Sequence, residues 1–448
     1  MQTNRKPVSD TNSHGVTTVP MKPFEHLKRT VMGCLLWEDG FYESGILVAD
    51  RIKALVPQCD PDDVAELASA LRNVHNLRHV PLLLARELAR NTERCAPGLI
   101  KDLLAQIIQR PDELTEFLAL YWADDKVKDR RKRSPLAKQV KTGLARAFCK
   151  FNEYQLAKYN RDTEIKLRDV LFMVHAKPKD EEQKHVWERL IKGELATPDT
   201  WEVALSAGED KGETFTRLIA ENKLGGLALL RNLRNMHESG VSKDTVKKAL
   251  LNSVKMAKVL PFRYIAAARS VPAWEDIIEQ AMLESVSRVE SLLGKTVILV
   301  DNSGSMAGKL SMKSDLSRFD AAAALAILLR EIGEEVQVFS FSTQVAEVPP
   351  RHGFALRDAI NSVVPVAATD LRRALTFVQE STYGVDRLVV VTDEQSQTAI
   401  SSGTKYASKQ YMIDVSTSGH SIAHGSWERI SGFSESIVSY IQAMERSV

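Results

Sequence analysis

An α-helical part followed by a doubly wound α/β domain is the fold that this sequence predicts, on three observations. From about residue 22 to residue 293, apolar residues recur at three and four spacing. At Gly294 the period changes, and β-branched runs begin to alternate with helical stretches. Carboxylate and hydroxyl residues then stand directly after two of those runs.

In the helical part, Val64, Leu67, Ala68 and Leu71 share one helix face, as do Leu114, Phe117, Leu118 and Tyr121. Asp60-Pro61-Asp62-Asp63, Arg110-Pro111-Asp112-Glu113 and Thr197-Pro198-Asp199 each predict a helix start. Proline's fixed φ suits the first helical position, and carboxylates suit the positive end of the helix dipole. Helices of roughly 10 to 15 residues with short connectors predict stacked helical pairs rather than one bundle. No clean repeat period is visible. Residues 1–21, rich in Thr, Ser, Asn and Pro, read as a disordered arm.

In the second part, Thr296 to Val300 reads as a buried parallel strand, and a helix is expected from Phe319 to Ile332. Val336 to Phe341 is a second strand, and Val345 to Val348 an edge strand ended by Pro349-Pro350. Leu371 to Glu380 is a helix, Arg387 to Thr392 a buried strand, and Tyr411 to Val415 a further one. Ser434 is expected to cap a last helix ending near Glu445. The domains expected are therefore 1–21, 22–293 and 294–448.

Composition is that of an ordinary globular protein, with 448 residues, 26% charged and 44% hydrophobic. A net charge of +2 does not by itself indicate a nucleic-acid partner, so any such surface must be local. Cys34, Cys59, Cys95 and Cys149 form no CxxC pair. They read as reduced thiols of a cytoplasmic protein, not a disulfide framework or zinc site. The longest apolar run, Ala321 to Leu329, is far short of a membrane span, and no secretory signal opens the chain.

The chemistry is concentrated at strand ends. Asp301-Asn302-Ser303-Gly304-Ser305 follows the first strand, Asp393 follows the later one, and Thr369 precedes the helix beginning near Asp370. Ligands of doubly wound sheets sit at that rim. Two carboxylates and three hydroxyls make an all-oxygen set, which suits Mg²⁺, with Mn²⁺ or Ca²⁺ as alternatives, over zinc. Gly304 would let the backbone turn there. Three other readings stand beside this one. A phosphate loop lacks its spacing, since Gly304 to Gly308-Lys309 is one residue short and Leu310 follows. A phosphotransferase aspartate would want a carboxylate where Ser303 stands. Asp301, Ser303 and Ser305 could also merely cap a helix.

Between Lys126 and Lys150 ten residues are Lys or Arg and only Asp129 is acidic. Lys126, Lys128, Arg130, Arg131, Lys132 and Arg133 form the dense part, and Lys138, Lys141, Arg146 and Lys150 follow at helical intervals. A polyanion would relieve their repulsion; a solvated face is the plainer alternative. Tyr154, Lys158, Tyr159 and Arg161 come next, a mixture able to stack on bases and hold phosphates.

The set Asp301-x-Ser303-x-Ser305, Thr369 and Asp393 resembles the metal-ion-dependent adhesion site of von Willebrand factor A domains. That resemblance implies a non-catalytic site whose open metal position takes a carboxylate from a partner. The helical part resembles the TROVE module of the Ro autoantigen family, of the bacterial type. The residues that carry this are Arg72 to Leu82, Leu171-Phe172-Met173-Val174-His175-Ala176-Lys177-Pro178, Leu230 to Met236, and Leu260-Pro261-Phe262. Gly432-Phe433-Ser434 and the final helix match the family's ending. The resemblance implies a ring of HEAT-like helical repeats carrying a von Willebrand factor A domain, as a monomer. It further implies binding of small noncoding, Y-like RNA and of single-stranded ends of misfolded or maturing RNA, with an exoribonuclease as partner. His175 and Lys177 fall in its RNA-contacting segment. The chain departs from the family in being shorter between Phe151 and Leu167. It also has Ala367-Ala368 where glycines usually precede the threonine. A metal-dependent protein-interaction scaffold is the alternative function.

Overall fold

In a computed structural model of the chain, the residues described are 22–32, 45–74, 77–123, 134–256, 259, 262–287, 289–310, 316–394, 396, 404–416, 426–431 and 436–446. They form two compact units, Ala49–Glu209 and a second made of Met1–Val48 with Asp210–Val448. Secondary structure changes character at Leu292, where the first strand starts.

The Ala49–Glu209 unit is helical among its described residues. Its expected helix starts obey local chemistry. Asp60 caps the Pro61–Asn73 helix by accepting from Asp62 N at 2.8 Å, an interaction worth about 1 kcal/mol. Glu113 reaches back to Arg110 N at 3.0 Å at the head of Pro111–Tyr121. The third start is displaced: Thr200, not Thr197, caps a helix, which runs Trp201–Ser206. Thr200's hydroxyl faces the Val203 amide at 3.4 Å, and Pro198 stays outside the helix.

In the other unit, short helices from Lys211–Ala220 to Glu275–Val286 precede a six-stranded sheet. The strands are β1 (Leu292–Asp301), β2 (Gly333–Phe341), β3 (Val345–Glu347), β4 (Arg387–Thr392), β5 (Lys409–Asp414) and β6 (Trp427–Ser431). Their order is β3-β2-β1-β4-β5-β6, parallel except for β3, which is an antiparallel edge. Val297 and Leu299 of β1 join Phe339, Leu371, Leu375 and Val390 in one buried cluster. Side chains alternate across a strand, leaving Ile298 and Val300 to the opposite face. There the Arg318–Ile332 helix packs on β1 and β2, its Ala321–Leu329 run wholly buried. The Pro23–Met32 helix belongs to this unit too, laid against β6 with Leu27 and Val31 fully buried. Two elements lie outside the sequence reading, the Gly353–Ser362 helix and β6. The last helix runs Ser436–Arg446; Ser434, its expected cap, lies outside the described residues.

Candidate functional site

β1 and β4 are parallel neighbours, so their carboxyl ends deliver Asp301 and Asp393 to one rim. Asp301 is fully buried. Its Oδ1 accepts from Ser303 N at 2.8 Å and its Oδ2 from Thr392 Oγ1 at 2.6 Å. Burial, and then the nearby Asp393 carboxylate, push the Asp301 pKa up to about 7 against the pull of those hydrogen bonds. Ser303 Oγ stands 3.1 Å from Ser305 Oγ. Ser303 is buried and Ser305 half-buried, which leaves the site a side toward solvent.

The third segment is stitched in by backbone. Ser303 bridges Ala367 in parallel, and Gly304 N donates to Ala367 O at 2.9 Å. Asp370 N donates to Ser342 O at 3.0 Å, and Ser342 Oγ to Pro365 O at 2.8 Å. Thr369, buried, sits between these anchors. Ala367 and Ala368 thus serve where glycines are usual, because the strand-like bridge to Ser303 needs no special backbone freedom. Asp301, the last residue of β1, and the loop residues Ser303, Ser305, Thr369 and Asp393 therefore all lie at the carboxyl end of the sheet.

Two features of that rim differ from the sequence reading. Gly304 lies in a short 3-10 turn with negative φ, and a Cβ there would meet open space, so the turn does not require glycine. That turn, Gly304–Ala307, is followed by extended chain rather than a helix, so no phosphate loop forms. Sequence reasoning also passed over Arg318. Its Nη1 donates to Asp393 Oδ2 at 3.0 Å and to Ser305 O at 3.2 Å, with the side chain 2% exposed. The signal available was the capping box Ser317-x-x-Asp320, which puts Arg318 at the first helical position and not in the loop. Asn302, likewise unassigned, pins the loop through Nδ2 to Asn361 O and Val364 O.

Among the described residues no group of three or more His, Cys, Asp or Glu could hold a metal. An ion at this rim would rest chiefly on hydroxyls. The donors fit one: two paired serine hydroxyls, a buried threonine and two buried carboxylates are all hard oxygens.

The basic residues divide. Lys126, Lys128, Arg130, Arg131, Lys132 and Arg133 lie outside the described residues. Lys138, Lys158, Arg161, His175 and Lys177 are exposed. Lys141 is half-buried and, with Trp122, Leu136, Ile165 and Met173, lines a cavity of about 410 Å³. Lys158 Nζ lies 5.9 Å from both the Tyr154 and Tyr159 rings, and Arg110 stacks on Tyr159 at 4.5 Å. His175 ends the Leu167–Val174 helix in the left-handed region, φ 51°, while Lys177 O accepts from Cys149 Sγ at 3.4 Å. Two further residues of the basic run, both exposed, have partners within the protein. Arg146 pairs with Asp102 at 2.7 Å. The Lys150 amine donates to Ala105 O at 2.6 Å and to Ile108 O, capping the Leu99–Ile107 helix.

The stretch beginning at Arg72 is internal as well. Arg72 is buried against Glu113 at 2.7 Å and donates to Ile107 O at 2.8 Å. Arg78 pairs with Asp112 at 2.7 Å and with Glu116. These residues tie the Pro61–Asn73, Leu99–Ile107 and Pro111–Tyr121 helices together; His75 and Asn76 lie outside the described residues.

The fold defines a helical region joined to a von Willebrand factor A domain. The TROVE domain model matches residues 43–193 and 187–314, together more than half of the chain, and the Ro60 vWA domain model matches 295–425. The chain belongs to the TROVE-domain Ro family, a family of RNA-binding proteins. The crystal structure of the Deinococcus radiodurans RO (RSR) protein shares its fold, with a TM-score of 0.65 over 94% of this chain and 99% of that one at 17% identity. No curated protein matches. No helix among the described residues is long and apolar enough to cross a membrane.

Proposed function

We propose that this chain is a non-catalytic RNA-binding protein of the cytoplasm. It takes small noncoding, Y-like RNA and the single-stranded ends of misfolded or maturing RNA, and supports their processing by an exoribonuclease. The observation that carries the reading is the TROVE match across residues 43–314. Lys138, Lys158, Arg161, His175 and Lys177 support it, being exposed cations on its helices and loops. Phosphates would be held by those cations and by the Lys126–Arg133 run. The protein should copurify with RNA, read as an absorbance ratio that falls on RNase treatment. A nucleic-acid-free preparation that also fails to retain a Y-like RNA in filter binding overturns the reading.

At the α/β rim, Ser303, Ser305 and Thr369 would hold Mg²⁺ or Mn²⁺, with Asp301 and Asp393 supplying negative charge. The ion would offer a position to a partner's carboxylate. A second reading, a metal-dependent protein scaffold, is favoured by one observation: Val366, beside this rim, is 60% exposed, an apolar contact suited to protein. Asp301→Ala with Ser305→Ala separates the two functions. Mn²⁺ binding measured by calorimetry should vanish while RNA affinity stays within about threefold. RNA binding lost in parallel would make the rim part of the RNA surface.

A further inference from the structure

Two buried carboxylates at one rim repel each other, and something must compensate them when no ion is bound. Arg318 is the group placed to do so. Its guanidinium is buried, and it touches two of the three segments that make the rim, Asp393 after β4 and the Ser305 carbonyl after β1. Its own backbone is fixed in the same place: Arg318 N donates to Gly308 O at 2.9 Å, so the loop after β1 and the head of the Arg318–Ile332 helix are clamped. At Gly308 the close approach is to the Ser305 carbonyl, with the guanidinium at ordinary contact distance. A Cβ built there would stand 3.5 Å from the guanidinium carbon and 3.1 Å from Ser305 O.

We propose that Arg318 is a resident counter-cation of the divalent-ion site: it holds Asp393 and the Ser305 loop assembled without the ion, and it weakens the ion's binding. This rests on the metal reading given above. The charge count motivates it. Asp301 and Asp393 each offer the rim a carboxylate, and Arg318 sets one positive charge directly against Asp393. An ion there binds against a positive neighbour that already holds one of its carboxylates. Even under water-like screening, a unit charge within several ångströms of a divalent ion changes its affinity by about tenfold.

The test uses the full chain. Urea midpoints are measured in EDTA for the parent, Arg318→Met, Asp393→Asn and the double variant. Each single change should lower the midpoint, and the double should regain at least half of the summed loss, because it removes charge and countercharge together. If Arg318→Met alone does not fold, a folded double variant supports the pairing directly. Calorimetric titration with Mn²⁺ should show Arg318→Met binding about tenfold tighter than the parent, and Arg318→Lys, which keeps the charge, binding near the parental level. Additive midpoint losses overturn the proposal. Mn²⁺ bound equally by the parent and Arg318→Met overturns it alone, whereas Mn²⁺ bound by neither overturns the metal reading with it.

Discussion

Thr392 Oγ1 donates to Asp301 Oδ2 at 2.6 Å, across the parallel pairing of β4 with β1. The contact aims a fully buried carboxylate whose other oxygen is held by Ser303 N. Hydrogen bonds to a charged group contribute about 1.5 to 3 kcal/mol. Thr392→Val keeps the shape of the strand but removes the donor, so Asp301 should protonate more readily. Mn²⁺ affinity at pH 7 should fall by about tenfold or more, read by calorimetry. Unchanged affinity would mean that Thr392 does not orient the carboxylate.

The basic run should behave as two populations. Arg130→Ala with Arg131→Ala and Lys132→Ala should weaken unrelated structured RNAs alike. It should flatten the salt dependence by roughly 0.7 in log–log slope per lost single-strand phosphate contact. Lys150→Met should do neither, since its amine caps a helix through Ala105 O and Ile108 O; it should instead lower the thermal midpoint. Equal loss of RNA affinity in both variants would refute the division.

Glu113 is a heavily committed carboxylate of the Ala49–Glu209 unit. It is fully buried, pairs with Arg72, and accepts from Gln109 N at 2.7 Å and Arg110 N at 3.0 Å. Glu113→Ala strands a buried guanidinium and two amides, and should cost about 3 to 5 kcal/mol in urea unfolding. A loss under 1 kcal/mol would show the charge cluster relaxing into water.

His79 gives a pH signature. Burial first, then Arg78 and Arg110, hold its pKa down at about 4 against an ordinary 6.5. The unfolded chain therefore binds more protons between those values, and stability contributed by neutral His79 is full above pH 6.5 and lost as pH falls toward 4. The side chain is 37% exposed, so screening reduces the effect to roughly 1 kcal/mol. Replacing it by Asn should flatten the stability–pH curve in that window alone. A curve identical to the parent's would show His79 titrating normally in the fold.

The α/β core is legible in sequence because its strands are short apolar runs and the candidate ligands follow them directly. Thr296–Val300 and Leu388–Val391 declare themselves by composition, and Asp301 and Asp393 by position. β6 escapes because Trp427-Glu428-Arg429-Ile430-Ser431 carries two charges and reads as loop until a parallel neighbour buries Trp427 and Ile430. The Gly353–Ser362 helix escapes for a similar reason, its left-handed Gly353 closing a turn that sequence alone does not require. Arg318 is the costliest omission. A guanidinium beside a metal-type rim looks like surface charge until the fold sets it against Asp393. Partners are equally invisible: Lys138 and Lys150 look alike in the run and both are exposed, yet Lys150 gives its amine to the end of a helix.

The helix Pro23–Met32 lies against β6, and their sequence separation has a consequence for how the chain is made. From Met32 to Trp427 is 427 − 32 = 395 residues. At roughly 5 to 20 residues per second, ribosomal synthesis keeps that helix without its strand for on the order of 20 to 80 s. Leu27 and Val31, fully buried in the finished unit, stay uncovered by it meanwhile. The Ala49–Glu209 unit emerges whole inside that interval. A helix translated before every strand of the sheet is thus among the last to dock.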